Sequence, residues 1–216
     1  MKVLAINGSP RKTWNTATLL LKALEGAAAR GAETEIVHLY DLQFKGCISC
    51  FGCKTKEGKS YGRCAVRDDL SPVLEKVEKA DGLVLGSPIY FGTVTGEMRS
   101  FHERLFFPYL TYTDPPGSIF PGKLRVGALY TLGATEEMSK QRGFDQHIAL
   151  NQGVIEMLFG NGESLESYDT YQFDDYSKVV AERFDPALKA LRRTEVFPVD
   201  CRKAYELGER LAGKSE

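Results

Sequence analysis

Short apolar segments alternate with amphipathic segments along most of this 216-residue chain, and this alternation restricts the possible folds more than any other feature. Apolar runs bounded by turn residues predict strands, and apolar side chains at every third or fourth position predict helices. We expect strands at residues 2–7, 34–39, 83–87, 123–132 and about 163–172, and helices at about 15–30, 68–79, 95–106, 140–159, 177–193 and 198–212. Strands that alternate with helices predict a parallel sheet covered on both faces.

Five such strands are most simply arranged as a flavodoxin-like, doubly wound α/β sheet with strand order 2-1-3-4-5 and helices on both faces. The whole chain, residues 1–216, is then one domain that contains a cysteine-rich loop at 41–67 and ends in a helical extension at about 177–216. Ligands of such sheets bind beyond the carboxyl ends of the strands, between strands one and three. This rule directs attention to two loops, residues 7–17 and 87–93.

The composition restricts the partners and the compartment. The chain carries 28 Lys and Arg against 29 Asp and Glu, a balance that argues against a nucleic-acid-binding surface spread over the domain. Its apolar runs are shorter than the roughly 20 residues that span a membrane, and residues 3–6 are too few for the core of a signal peptide. We therefore expect a soluble, cytoplasmic protein with no nucleic-acid or membrane partner.

The first of the two loops concentrates groups that bind phosphate. Because it joins a strand to a helix, it presents free N–H groups and the positive end of the helix dipole. It adds hydroxyl, amide and guanidinium groups, and its candidate cofactor-binding residues are Ser9, Arg11, Asn15, Thr16 and Ala17. It lacks the glycines of both the Walker A loop and the dinucleotide-binding loop. The alternative is that Asn15 or Thr16 only caps the helix.

Five short segments stand in a distinctive order. They read GSPR-x-x-x-NT at residues 8–16, ADG at 80–82, GSPIYFG at 86–92, GEMRSF at 96–101 followed by Arg104, and YQFDDY at 171–176. Together they resemble the NADPH-dependent FMN reductase family, in the branch that includes the iron–sulfur flavoproteins. The resemblance covers most of residues 1–135. It implies a flavodoxin-like fold that holds FMN and carries out two-electron redox chemistry.

The second loop suits the edge of a flat ring, because proline stiffens the strand exit, glycine permits close approach and two aromatic side chains offer apolar area. The resemblance implies that the flavin ring is contacted by Pro88, Ile89, Tyr90, Phe91 and Gly92. Thr131 and Gly133, in the loop after the next strand, form a third candidate segment. The alternative is an ordinary loop whose aromatic side chains fill the core.

Cys47, Cys50 and Cys53 are spaced as C-x-x-C-x-x-C and are followed by Cys64. In a reducing compartment, clustered cysteines favour metal or redox chemistry over disulfides. These four are the candidate ligands of a [4Fe–4S] cluster, whereas structural zinc sites usually draw on two separated pairs. Iron–sulfur flavoproteins resemble the first three positions but place the fourth cysteine closer. The loop therefore predicts either a cluster or free thiols beside the flavin.

The function that this sequence favours is an FMN-dependent oxidoreductase, an NAD(P)H-dependent flavin- or quinone-type reductase in which hydride passes from NAD(P)H to the flavin. An alternative is an iron–sulfur flavoprotein that carries electrons for ferredoxin-like partners, and a third is a metal-stapled module that binds another nucleotide. No side chain is assigned as catalytic, because the flavin carries the chemistry. His38, His102 and His147 are expected to be structural. The family and the aromatic segment 106–109 suggest a homodimer or higher homo-oligomer.

Overall fold

Five parallel strands form the centre of the computed structural model, which describes residues 1–213. They are β1 (Lys2–Asn7), β2 (Glu33–His38), β3 (Gly82–Tyr90), β5 (Arg125–Thr131) and β6 (Glu163–Ser167). Their order is β2-β1-β3-β5-β6, which confirms the predicted doubly wound, flavodoxin-like sheet. The numbering departs from 2-1-3-4-5 because a short strand that the sequence did not predict, β4 (Thr93–Val94), pairs antiparallel with the end of β3.

Helices cover both faces of this sheet. They are α1 (Asn15–Ala29), α2 (Ser71–Glu78), α3 (Gly96–Tyr109), α4 (Glu136–Gln141), α5 (Phe144–Phe159), α6 (Pro186–Leu191) and α7 (Phe197–Ala212). Alternate side chains of β1 enter different cores: Val3 and Ala5 pack with α1 and α7, whereas Leu4 and Ile6 pack with α2, α3 and α5. Since both sets are fully buried, the strand is apolar throughout rather than alternating.

Two glycines bring α1 and α7 into close contact. A Cβ atom on Gly208 would overlap the carbonyl oxygen of Ala23, and one on Gly26 would overlap that of Tyr205. The C-terminal segment expected as a helical extension thus supplies α7, which covers the sheet beside α1. Residues 214–216 of that segment lie outside the described residues. Among residues 1–213, no helix combines the length and the apolar character needed to cross a bilayer.

The predicted helix at 177–193 is wrong between residues 179 and 185, where the chain is irregular. Here α6 begins only at Pro186, because the Asp185 side chain accepts hydrogen bonds from the N–H groups of Ala187 and Leu188 and proline is accommodated in the first turn. The predicted helix at 140–159 is divided into α4 and α5 at Gly143, whose φ of 69° is left-handed. The last predicted strand ends at Ser167.

His102, expected from the sequence to be structural, is a buried residue. It lies in α3 with 3% of its surface exposed, and its ring stacks on Phe106 with 4.7 Å between centroids. Neither ring nitrogen has a hydrogen-bond partner within the described residues. Burial, with a smaller contribution from the nearby Arg99 charge, lowers the pKa of His102 to about 3. The imidazole is therefore neutral in the folded protein at physiological pH.

We expect this buried imidazole to make the protein acid-sensitive. The unfolded state takes up a proton near pH 6.5, whereas the folded state does so only near the lowered pKa of about 3, so stability falls as the pH drops through this window. Between pH 7.5 and pH 5, this group lowers the free energy of unfolding by about 2 kcal/mol. Urea unfolding should show that His102→Leu removes this part of the pH dependence. The control is His147→Leu, at an exposed histidine of α5, and equal pH slopes in wild type and His102→Leu would contradict the prediction.

Candidate functional site: a groove at the carboxyl edge of the sheet

A groove of about 150 Å³ opens where β1, β3 and β5 end. Its walls come from the two loops selected on the sequence, from the loop after β5, and from a segment that follows β6. The residues that line it are Ser9, Arg11, Trp14, Asn15, Thr16, Pro88, Tyr90, Thr131, Gly133 and the segment 170–173. The structure thus brings candidate residues from three separate loops to one place. Ala17, Ile89, Phe91 and Gly92 do not line the groove itself.

The loop between β1 and α1 is held in its conformation by its own polar groups. The N–H of Ser9 donates to the Asn7 side-chain oxygen at 2.9 Å, and the Ser9 hydroxyl accepts from the N–H of Arg11 at 3.2 Å. The helix starts after Trp14, whose side chain makes no capping hydrogen bond. This leaves a helix N-terminus without a side-chain cap at the groove, which is the arrangement that favours an anion.

Asn15 and Thr16 are buried and do not cap the helix, so the capping alternative is wrong. The Asn15 amide donates to the carbonyl of Tyr171 at 2.7 Å, and the Thr16 hydroxyl pairs with the Thr131 hydroxyl at 2.7 Å. Arg193 donates to the Asn15 side-chain oxygen at 2.9 Å and thereby fixes which way the amide faces. These contacts join the first loop to the end of β5 and to the C-terminal region.

Residues 170–173 form a strap across the loop between β1 and α1. The carbonyl of Tyr171 also accepts from the Trp14 indole at 2.9 Å, and that of Gln172 accepts from Arg11 at 2.6 Å. The Arg11 guanidinium lies over the Trp14 ring, 5.0 Å from its centroid. The strap therefore satisfies donors that the sequence assigned to a ligand.

A buried lysine anchors the base of this strap. Lys189, 2% exposed, pairs with the Asp169 carboxylate and donates to the carbonyl of Gly133 at 3.1 Å. Its ammonium group also lies 4.7 Å from the centre of the Phe184 ring. One side chain thus links the loop after β5 to the loop after β6, and no local pattern in the sequence predicts this contact.

The second candidate loop is a hairpin. Pro88, Ile89 and Tyr90 belong to β3 and not to a loop, and Ile89 pairs with Val94 of β4. The turn consists of Phe91 and Gly92, with φ of 51° and 90°, the left-handed pair typical of a tight two-residue hairpin. Tyr90 is 46% exposed and the Phe91 ring is fully exposed. These two rings do not fill the core, so the core alternative is wrong for both.

The cysteine-rich loop packs against α3. Cys47 and Cys50 are exposed, Cys53 is buried and Cys64 is partly buried. The Cys64 sulfur accepts from the Arg104 side chain at 3.3 Å, and burial raises the pKa of the Cys53 thiol. Residues 1–213 contain no group of three or more His, Cys, Asp or Glu side chains arranged to hold a metal ion. In this conformation of the loop, the four sulfurs are therefore not gathered as the ligands of one cluster.

A doubly wound sheet with an anion-favouring loop at its switch point defines a flavodoxin-like α/β protein. The chain belongs to the NADPH-dependent FMN reductase family, whose sequence pattern matches residues 1–155. The predicted class, an FMN-dependent oxidoreductase, is confirmed at the level of the family.

Two relatives illustrate the similarity. An iron–sulfur flavoprotein of Methanocaldococcus jannaschii is 41% identical over 146 residues, which span 68% of this chain and 69% of the relative. An iron–sulfur flavoprotein of Archaeoglobus fulgidus is 44% identical over 104 residues, and the match spans about half of each chain, 48%.

Solved structures share the fold over nearly the whole chain. An NAD(P)H:quinone oxidoreductase from Methanothermobacter marburgensis superposes with a TM-score of 0.71 at 16% identity, covering 98% of both chains. An FMN-dependent NADH-azoreductase from Bacillus anthracis, solved in complex with FMN, gives a TM-score of 0.67 at 15% identity, covering 99% of this chain and 100% of the other. At such low identity these likenesses show the fold alone.

Proposed function

We propose that this protein is an NAD(P)H-dependent reductase that holds FMN in the groove at the carboxyl edge of the sheet and reduces flavin- or quinone-type acceptors. The observation that carries the proposal is the convergence of the β1, β3 and β5 loops on one groove that contains an uncapped helix N-terminus. When bound, FMN supplies the capacity to accept a hydride and pass the electrons on.

The residues of the groove fit the phosphate of a mononucleotide. The buried hydroxyl of Ser9, the guanidinium of Arg11 and the first-turn N–H groups of α1 would hold it. The loop has one glycine, Gly8, where a dinucleotide loop has three. We therefore propose that the cofactor is FMN and not FAD.

The other walls of the groove would orient the ring. Tyr90, at the end of β3, offers flat apolar surface on one side, and Thr131 and Gly133 border the other. Gly133 lets the Gln172 side-chain amide of the strap lie directly against it, because a Cβ atom there would be 2.4 Å from the amide nitrogen.

We expect the double variant Ser9→Ala/Arg11→Ala to bind FMN at least tenfold more weakly, because each lost phosphate contact is worth about 1–3 kcal/mol. Fluorescence titration of the flavin-free protein measures the affinity, and mass spectrometry of the cofactor released from the wild type identifies it. Arg142→Ala, at an exposed arginine outside the groove, is the matched control. Unchanged affinity in the folded double variant, or FAD as the released cofactor, would refute the proposed site.

The reductase proposal further predicts that NADPH or NADH bleaches the flavin absorbance of the purified protein under anaerobic conditions. Addition of a quinone should then restore the colour, because the electrons leave to the acceptor. Stopped-flow absorbance measures both steps. A flavin that is reduced by dithionite but by neither nicotinamide nucleotide would favour an electron carrier over a reductase.

That carrier function is the second candidate, and the cysteine spacing together with the iron–sulfur flavoproteins among the relatives favours it. Cys47, Cys50, Cys53 and Cys64 would be the ligands of a [4Fe–4S] cluster, and a ferredoxin-like protein would be the donor. Because no three ligand-type side chains are gathered for one ion within residues 1–213, ligation requires the loop to rearrange. Exposed lysines on the loop, Lys45, Lys56 and Lys59, would suit an acidic partner.

Iron and sulfide analysis of anaerobically prepared protein tests this candidate. A cluster-bearing chain should contain about four irons and four sulfides, and Cys50→Ser should lose them while it retains FMN. Cys201→Ser is the control, because Cys201 lies on α7. Protein that is replete in FMN but free of iron would leave only the reductase.

A further inference from the structure

A half-buried arginine of the C-terminal region, Arg193, contacts the first residue of α1. It lies on a single π-helical turn, Arg192–Val196, between α6 and α7. Its guanidinium donates to the Asn15 side-chain oxygen at 2.9 Å and lies 4.6 Å from the centre of the Phe197 ring. Both contacts are with neutral groups, and no carboxylate within residues 1–213 forms an ion pair with Arg193.

The neighbouring residue shows the more usual arrangement. Arg192 pairs with the Asp200 carboxylate at 2.6 Å, and that carboxylate also accepts from the buried hydroxyl of Ser167 at 2.6 Å. A guanidinium that is withdrawn from water is most stable when its charge is matched in this way. Arg193, one position further along the chain, is matched by no such charge.

Arg11 shares this property with Arg193. Its partners are the carbonyl of Gln172 and the ring of Trp14, so it too has no carboxylate partner among the described residues. Arg11 precedes α1 and Arg193 contacts its first residue, so both cations lie at the N-terminus of this helix, which itself carries a positive partial charge. Positive charges collected at one place repel each other, and an anion bound there would relieve the repulsion.

Arg193 also determines which group the Asn15 amide presents to the groove. A guanidinium has only donors and a backbone carbonyl only accepts, so the Asn15 oxygen must face Arg193 and its nitrogen must face the carbonyl of Tyr171, at 2.7 Å. Tyr171 and Asn15 both line the groove. The amide nitrogen carries two N–H groups, and the contact with Tyr171 uses one of them. The second N–H is the group that Asn15 can offer to a ligand, whereas a reversed amide would offer an acceptor.

We propose that Arg193 is a positioning residue of the phosphate subsite, which holds the Asn15 amide with its nitrogen toward the groove and adds a second positive charge, so that the protein selects FMN over riboflavin. This inference rests on the proposed FMN site. It adds a residue outside the family pattern, which ends at residue 155. Because riboflavin lacks only the phosphate, the contribution of Arg193 should appear in the binding of FMN and not in that of riboflavin.

Fluorescence titrations of the flavin-free protein with FMN and with riboflavin test the proposal. Arg193→Met keeps an apolar stem over the Phe197 ring but lacks the charge and the donor. It should bind FMN about tenfold more weakly than the wild type and riboflavin within about twofold of it. Arg193→Lys, which retains the charge and a donor, should recover most of the FMN affinity. The matched control is Arg202→Met, at an exposed arginine of α7, which should bind both flavins as the wild type does.

The route through Asn15 gives a second test. In an Asn15→Ala background, Arg193→Met should weaken FMN binding less than it does in the wild type, because no amide remains to be oriented. An equal loss in the two backgrounds, or equal losses of FMN and riboflavin affinity in Arg193→Met, would overturn the positioning role. If Arg193→Met does not fold, Arg193→Gln replaces it and should lower the preference for FMN over riboflavin about threefold; an unchanged preference would contradict the proposal.

The wild type separates this inference from the proposed function on which it rests. Wild-type protein that binds FMN no more tightly than riboflavin would overturn both the phosphate subsite and the role of Arg193. A wild type that prefers FMN, together with an Arg193→Met variant that keeps the full preference, would overturn the role of Arg193 alone.

Discussion

Burial of the central strands on both faces determines where this protein can bind anything. Val3 and Ala5 face one helical layer and Leu4 and Ile6 face the other, so β1 has no exposed face. A parallel sheet covered in this way leaves only its strand ends accessible. Its carboxyl ends lie at one edge, and the chain reverses direction across the sheet between β1 and β3. The groove is the space that this reversal leaves open.

Polar groups brought to that edge need partners, and the strap at residues 170–173 supplies them. The carbonyls of Tyr171 and Gln172 accept from three side chains of the first loop. For the buried Asn15 amide, an unpaired donor would be costly. A bound phosphate would offer the same loop stronger, charge-assisted acceptors. The strap and a bound phosphate would thus accept hydrogen bonds from some of the same donors, such as Arg11. Lys189 keeps the strap in position through its contacts with Asp169 and the carbonyl of Gly133.

The sheet could be predicted from the sequence because its signals are local. The central strands β1, β3 and β5 are apolar runs, α1 has an apolar stripe, and turn residues mark the ends of several elements. The loop at Ser9 to Thr16 could be found for the same reason. Lys189 and Arg193 could not, because their roles depend on partners far away in the chain, such as Gly133 and Asn15. The hairpin at Phe91 was missed because the run GSPIYFG continues as a strand through Pro88, which the sequence placed in a loop.

The cysteine-rich loop shows how a long segment that contains only a short 3₁₀ helix, Gly52–Lys54, can still be held in place. Arg104 of α3 has a completely buried side chain, paired with the Asp68 carboxylate. It also donates to the carbonyls of Lys45 and Val66, each at 3.2 Å, and to the Cys64 sulfur. A buried guanidinium is stable only when its donors and its charge are satisfied, so this one residue ties both ends of the loop to the helix. Cys64 is held at that point by a hydrogen bond. Ligation of a cluster would therefore have to bring the exposed Cys47 and Cys50 to Cys64. Moving Cys64 toward them instead would break its hydrogen bond with Arg104.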